Sequence, residues 1–141
     1  MMTTGQCLCG SVTWSVDGEP VVQLFCHCNS CQKANSSVLV ALAFFPEESV
    51  SVVGDLFSRS VTEGEIAAVR YSCAKCGARV INTPGGGNSY LSGIYPVLCE
   101  AQSWFQPSMH IFYEDRVVEI SDALPKFLDL PSDLGGSGKT G

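Results

Sequence analysis

Seven of the eight cysteines in this 141-residue chain fall into three tight groups, and this grouping constrains the fold more than any other feature. The densest group is Cys26-His27-Cys28-Asn29-Ser30-Cys31, with three thiols in six positions. The pair Cys7-Leu8-Cys9 precedes it, and Cys73-Ala74-Lys75-Cys76 follows it, whereas Cys99 stands alone. Sulfurs spaced C-x-C or C-x-x-C can reach one ion together, so we interpret the three groups as metal ligands.

Composition favours a folded, cytoplasmic protein. The chain is 45% hydrophobic and only 16% charged, and its length suits one domain with a real core. It has no apolar run long enough to span a bilayer, and Met1 to Gly10 does not read as a signal peptide. In a reducing compartment, clustered cysteines bind metals rather than forming disulfides. The net charge of -6 disfavours binding to nucleic acid or to an anionic membrane.

Many short apolar runs between Gly and Pro turns predict a mainly β domain without a long helix. Residues 32–37 predict a short helical turn or a loop, and Pro46-Glu47-Glu48 predicts a single helical turn. Residues 62–65 predict a turn, and the Gly-rich residues 83–88 predict a flexible loop. The predicted strands cover residues 11–16, 21–25, 38–45, 49–53, 57–61, 67–71, 78–82, 90–94, 108–113 and 117–120.

The cysteine groups add up to one complete and one incomplete zinc site. Structural zinc sites close with four protein ligands, whereas catalytic sites keep three and leave one position open. The two flanking pairs supply four thiolates, which predicts a structural site on Cys7, Cys9, Cys73 and Cys76. The central group supplies three, on Cys26, Cys28 and Cys31, which leaves a position for water or a substrate atom. Gly77 directly after the last pair permits the positive φ that a knuckle around a metal needs.

Three other interpretations of the cysteines stay open at this point. The thiols could pair as disulfides, although a disulfide between C-x-C neighbours is a poor choice for cross-linking a fold. Both sites could be structural, with Cys99 or a histidine as the eighth ligand. Iron–sulfur ligation is disfavoured, because the cysteines group as four plus three rather than as two sets of four.

The two histidines are not predicted to bind metal. In extended geometry the side chain of His27 points away from the ion that its neighbours share. We expect His110 to be a half-buried histidine with its hydrogen bonds satisfied.

The ordered set of motifs resembles the glutathione-dependent formaldehyde-activating enzyme family, whose domain is shared with centromere protein V. The resemblance covers about Thr3 to Pro131. It is carried by these motifs: Gly5-x-Cys7-x-Cys9-Gly10-x-Val12, Cys26-His27-Cys28-x-x-Cys31-Gln32-Lys33, Cys73-x-x-Cys76-Gly77, Pro107-x-x-His110-Ile111 and Asp122-x-Leu124-Pro125-Lys126-Phe127.

This resemblance implies a single-domain β-tent of short antiparallel strands over residues 3–131, followed by a flexible tail over residues 132–141. It implies two Zn²⁺ ions, a structural one on Cys7, Cys9, Cys73 and Cys76 and a catalytic one on Cys26, Cys28 and Cys31. The implied activity is that of a carbon–sulfur lyase, S-hydroxymethylglutathione synthesis from glutathione and formaldehyde. The chain departs from the family at Asn35-Ser36-Ser37 and at Gly93-Ile94-Tyr95-Pro96, in loops that we expect to shape the substrate pocket.

Two further hypotheses compete with this activity. The chain could be a non-catalytic two-zinc binding or scaffold module, or an enzyme acting on another thiol or aldehyde. Glutathione carries carboxylates, so a cation near the pocket would favour its binding. The candidate cations are Lys33, Arg59, Arg70 and Arg79.

Overall fold

The fold is mainly β, as the sequence predicts. The computed structural model describes residues 2–63, 66–84 and 90–141. The predicted turn at 62–65 and loop at 83–88 therefore lie partly outside the described residues. Among these residues, one α-helix, α1, covers Asn29–Asn35. The strands of the described residues are β1 Met2–Gln6, β2 Thr13–Asp17, β3 Val22–Cys26, β4 Val40–Pro46, β5 Val50–Val53, β6 Leu56–Glu63, β7 Ile66–Cys73, β8 Arg79–Pro84, β9 Leu91–Ile94 and β10 Met109–Ile111.

The chain divides into two compact units. The first unit consists of Met1–Val22 and Ala43–Phe105, and the second consists of Gln23–Leu42 and Gln106–Gly141. Each cysteine group lies entirely within one unit, so the two candidate metal sites can be built up separately.

The first unit contains two runs of antiparallel strands, in the orders β1-β2-β5 and β4-β9-β8-β7-β6. Along β2, Trp14 and Val16 are buried while Thr13 and Asp17 are exposed, which is the alternation expected of a half-buried strand. Apolar side chains from both runs share one core. Its buried members are Cys7, Val12, Trp14, Val16, Ala43, Phe45, Cys73, Val80, Ile81, Ile94 and Cys99.

In the second unit, β10 pairs with β3 in parallel, so that His110 lies opposite Phe25 and Ile111 lies opposite Cys26. The helix α1 follows β3 directly. It starts three residues earlier than the predicted helical turn and ends at Asn35, and the residue that caps it, Ser36, is left-handed with φ of 49°. The last residues fold back on the unit, because the Leu128 amide donates to the Lys139 carbonyl at 2.8 Å.

The sequence missed one strand and predicted one that does not form. Met2–Gln6 forms β1 although its polar residues carry no strand signal, because the antiparallel partner β2 supplies its hydrogen bonds. The predicted strand at 117–120 is wrong, and the Ile120 amide donates to the Tyr113 hydroxyl instead. The predicted turn after Pro46 is confirmed as a short 3₁₀ helix, Glu47–Ser49. Within the described part of the chain, no helix is long and apolar enough to cross a membrane.

Candidate metal centres

The four-cysteine cluster joins two turns that are far apart in sequence. Cys7 follows β1, and the Gly10 amide closes the turn by donating a hydrogen bond to the Cys7 carbonyl at 3.1 Å. Cys73 ends β7, and the Gly77 amide donates to its carbonyl at 3.0 Å. Gly77 has the positive φ that the sequence predicts, at 76°. Together the two turns bring four sulfurs within 4.8 Å of one another, those of Cys7, Cys9, Cys73 and Cys76.

The spacing of these sulfurs fits a tetrahedral ion. Cys9 Sγ lies 3.7 Å from Cys7 Sγ and 3.8 Å from Cys73 Sγ. With metal–sulfur bonds of about 2.3 Å, the edges of a ZnS₄ tetrahedron measure about 3.8 Å.

All eight cysteines are free thiols, so the disulfide interpretation is wrong.

Hydrogen-bond donors surround this cluster and favour the thiolate form of Cys73. The Ser11 hydroxyl lies 3.0 Å from Cys9 Sγ and 3.2 Å from Cys73 Sγ. The Cys76 and Lys75 amides point to Cys73 Sγ at 3.4 and 3.3 Å. The Cys76 amide, the Ser11 hydroxyl and the Lys75 amide lower the pKa of the Cys73 thiol to about 6. The turns are therefore prepared for an anionic sulfur, the form that binds metals.

The three-cysteine cluster, formed by Cys26, Cys28 and Cys31, lies where β3 meets α1. Its sulfurs lie within 4.8 Å of one another, and the exposed fractions of the three residues are only 4, 1 and 5%. Cys28 is the N-cap of α1, and its sulfur accepts from the Cys31 amide at 3.3 Å. Contacts with the other two thiols lower the pKa of Cys28 far below its ordinary value and raise that of Cys26. The contacts among the three thiols therefore favour the thiolate form of Cys28.

Among the described residues, no fourth Cys, His, Asp or Glu joins the three-cysteine cluster, although the Ser30 hydroxyl lies 3.3 Å from Cys28 Sγ. Cys99 does not belong to either sulfur group. It is buried in the core of the first unit, where burial raises the pKa of its thiol. The lone cysteine therefore packs as a small apolar side chain.

His27 is fixed at three points, none of which is a cysteine sulfur. Its amide donates to the Ile111 carbonyl at 3.0 Å, and its carbonyl accepts from Gln32 Nε2 at 2.6 Å. Its ring is fully buried, and Nε2 lies 2.8 Å from His110 Nδ1. Burial lowers the pKa of His27 to about 4, so the ring is neutral at pH 7. His27 is not a member of either group of sulfurs.

His110 links His27 to a carboxylate. Its Nε2 lies 2.8 Å from Asp122 Oδ2, and Lys126 Nζ lies 2.7 Å from the other oxygen of Asp122. The Lys126 ammonium, followed by the hydrogen bond from His110, holds the pKa of Asp122 far below its ordinary range. His110 is thus hydrogen-bonded as predicted, but it is fully buried rather than half-buried.

The candidate cations divide between the units. Lys33 lies on α1, two residues after Cys31, and is exposed. The three arginines lie in the first unit, where Arg70 is buried and Arg79 donates to the Ser72 hydroxyl at 2.9 Å. Sequence reasoning missed Arg116 of the second unit, which lies 4.5 Å from the centre of the Tyr113 ring. It also missed the linkage of Asp122 to His27, since each residue was visible only as part of a separate motif.

A groove of about 230 Å³ in the first unit is lined by residues that include Glu47, Tyr71 and Thr83. None of its lining residues is a cysteine, so it is separate from both clusters.

Comparison with solved structures relates the fold to a Rhodobacter sphaeroides protein whose crystal structure came from a structural genomics target. The two chains share 19% identity with a TM-score of 0.56, and the match covers 70% of this chain and 88% of that one. At this identity the likeness concerns the fold alone. No curated protein sequence matches the chain significantly.

A family model gives the more specific result. The model described as glutathione-dependent formaldehyde-activating enzyme matches residues 2–115, which is most of the chain. The matched range includes all seven clustered cysteines, both candidate metal centres and His110. The chain therefore belongs to the glutathione-dependent formaldehyde-activating enzyme family.

Proposed function

We propose that this protein is a cytoplasmic zinc enzyme that joins a thiol such as glutathione to formaldehyde or a related small aldehyde. In class it would be a carbon–sulfur lyase similar to S-(hydroxymethyl)glutathione synthase. The observation that carries the proposal is the unequal number of sulfurs in the two clusters of a chain of this family. Four sulfurs suit a structural zinc, and three suit a zinc with an exchangeable position.

The reaction is an addition that needs no redox partner. The thiol sulfur forms a bond to the carbonyl carbon, the C=O double bond becomes a single bond, and the thiol proton ends on the oxygen. Bound zinc would act as a Lewis acid that favours the thiolate form of an incoming thiol. Cys26, Cys28 and Cys31 would hold this ion, and Cys7, Cys9, Cys73 and Cys76 would hold the structural one.

The residues around the three-cysteine cluster suit this role. The cluster is buried, which strengthens electrostatic interactions and limits competing water. The contacts of the His27 amide and carbonyl with Ile111 and Gln32 fix the main chain between two of the three sulfurs. A rigid site of this kind would hold thiol and aldehyde close together, and proximity can supply much of the rate enhancement of an addition between small molecules.

Exchange spectroscopy tests the activity directly. Zinc-loaded protein would be added to glutathione and ¹³C-formaldehyde at equilibrium, and the rate of exchange between free and adduct carbon would be measured by NMR. We expect acceleration over the protein-free rate, loss of acceleration in Cys28→Ser, and retention in Cys99→Ser, whose thiol lies outside both clusters. No acceleration by the wild-type protein with glutathione or with a small-thiol panel would exclude the proposed reaction.

The burial of all three central cysteines is the observation that favours the competing scaffold function. A closed, structural second site should hold zinc as tightly as the four-cysteine cluster is expected to hold it. Chelator competition separates the two functions, because an open site should release or exchange its zinc first and should shield its thiols from alkylation less completely. Two equally inert zinc ions would favour the scaffold.

A further inference from the structure

The side-chain amide of Gln32 joins two segments of the second unit that are far apart in sequence. Its Nε2 atom donates to the His27 carbonyl at 2.6 Å and to the Asp115 carbonyl at 2.9 Å, and 83 positions separate Gln32 from Asp115. Because a carbonyl oxygen only accepts, both contacts require the nitrogen of the amide, and both of its hydrogens are used. Gln32 is half-buried, so this bridge is partly shielded from competing water.

The main chain of Gln32 continues this hold into the three-cysteine cluster. The Gln32 amide donates to the Cys28 carbonyl at 3.0 Å, so one residue binds two consecutive carbonyls. In sequence, His27 lies between Cys26 and Cys28, and Cys31 directly precedes Gln32. The His27 carbonyl belongs to the planar peptide group that joins His27 to Cys28. Holding this carbonyl therefore holds the backbone from which the Cys28 sulfur projects.

The other end of the bridge lies in residues 111–115, which contact the same turn in two further ways. The Ile111 carbonyl accepts from the His27 amide at 3.0 Å. The Tyr113 ring stands edge-on to the His27 ring, with ring centres 5.0 Å apart. Both polar groups of the His27 main chain are thus tied to residues 111–115, the N–H directly and the carbonyl through Gln32.

We propose that Gln32 is a positioning residue for the candidate catalytic metal site, which holds the three-cysteine cluster in place before an ion binds. Without the two donors of Gln32, an ion would have to order the C-x-C turn as it binds, which lowers its affinity. By thermodynamic linkage, an ion that prefers the tied turn should also stabilise residues 111–115. The inference rests on the proposed function for the presence of an ion at the cluster, but not for the reaction.

The zinc affinities of Gln32→Met and Gln32→Glu test the role of the two donors. Both side chains are close to glutamine in length, and neither can donate to two carbonyls at once. Chelator competition should show an affinity at the three-cysteine cluster about 10–100-fold below that of wild type, with the four-cysteine cluster unchanged as the internal reference. Wild-type affinity in Gln32→Met, or a loss confined to Gln32→Glu, would overturn the inference.

Gln102→Met is the matched control. The side-chain amide of Gln102 also donates to a main-chain carbonyl, that of Val97 at 3.1 Å, but it lies in the first unit. This variant should keep wild-type zinc affinity at both clusters. An equal loss of affinity at the three-cysteine cluster in Gln102→Met and Gln32→Met would contradict a specific role for Gln32.

Hydrogen exchange supplies a readout that a local change in helix stability would not move. Zinc would bind between residues 26 and 31, yet the bridge predicts slower exchange at the Asp115 and Arg116 amides, which donate to Phe112 and Tyr113 carbonyls. Protein with zinc at the four-cysteine cluster only would be compared with fully loaded protein. The protection should be reduced or lost in Gln32→Met. If the variants do not fold, the wild-type comparison decides, and equal exchange in the two samples would overturn the inference.

The outcomes separate this inference from the proposed function. A wild-type chain that binds only one zinc ion would contradict both. Two zinc ions held equally well by wild type and Gln32→Met would contradict the positioning role and leave the reaction standing. A fall in affinity in Gln32→Met, without acceleration of adduct formation by wild type, would support the positioning role and contradict the reaction.

Discussion

His110 Nδ1 lies 2.8 Å from His27 Nε2, although 83 positions separate the two residues in sequence. The parallel pairing of β10 with β3 produces this contact, because it sets His110 opposite Phe25 and Ile111 opposite Cys26. The ring of His27 is therefore linked, through His110, to the C-terminal part of the second unit. There His110 contacts Asp122, and Asp122 contacts Lys126. Four predictions follow from this arrangement and from the two clusters.

Removing one sulfur from each cluster should have different consequences. We expect roughly two zinc ions per wild-type chain and roughly one in Cys28→Ser, with the fold retained. Cys73→Ser should lose the structural ion and cooperative unfolding together, because structural zinc contributes folding free energy. Elemental analysis with thermal unfolding checks both results. Cys99→Ser is the control and should keep both ions, and loss of all zinc from Cys28→Ser would contradict the separation of the sites.

Replacing Gly77 should destabilise the turn of the four-cysteine cluster through backbone strain alone. A Cβ at this position would meet no atom within 4 Å, so space is not the constraint, but φ is 76°. Gly77→Ala should therefore cost about 1–2 kcal/mol in the free energy of unfolding. Gly77→Asn should cost less, because Asn tolerates the left-handed region. Chemical denaturation of the zinc-loaded variants measures the difference, and equal losses would argue against a strain mechanism.

The stability of the second unit should depend on the ionisation of Asp122. Its pKa is lower in the folded chain than in an unfolded one, owing first to Lys126 and then to His110. The ionised carboxylate therefore stabilises the fold at neutral pH, and this contribution is lost as the pH falls below the ordinary carboxyl range. The difference in unfolding free energy between wild type and Asp122→Asn should shrink toward acid pH. A difference that is constant with pH would show that the carboxylate charge is not responsible.

Lys33 should contribute to recognition of the glutathione carboxylates. It lies on the same short helix as Cys31 and is exposed, so its contribution should be that of a solvent-screened ion pair. Lys33→Met should weaken glutathione binding by up to about fivefold and leave the binding of cysteamine, which has no carboxylate, unchanged. Titration with both thiols at low and high salt provides the measurement. Arg59→Met, an exposed cation in the first unit, is the control.

Local spacing made the clusters predictable, whereas long-range register was not predictable. Three cysteines within six positions must lie close together in space, whatever the rest of the fold. The two flanking pairs could be assigned to one site because together they supply the four ligands of a structural zinc. The linkage of His27 with His110 depends on a parallel strand pairing between distant segments, for which the sequence contains no local signal. The missed strand β1 has the same cause, since its polar residues become a strand only because β2 pairs with them.

The wrong strand at 117–120 shows the opposite failure. Its apolar residues resemble a strand, but the Ile120 amide is satisfied by the Tyr113 hydroxyl rather than by a neighbouring strand. Val117 remains 62% exposed, so apolar composition alone did not bring this segment into a sheet. A segment of this length depends on the available partners, which single-sequence periodicity does not reveal.

The Cys28 sulfur caps α1 as well as belonging to the three-cysteine cluster, and this couples chemistry at one atom to the order of seven residues. Alkylation or oxidation of this sulfur would remove the acceptor for the Cys31 amide and weaken the first turn of the helix. The NMR signals of the α1 backbone amides would then change with the chemical state of the cluster, so that no added probe is needed to follow it.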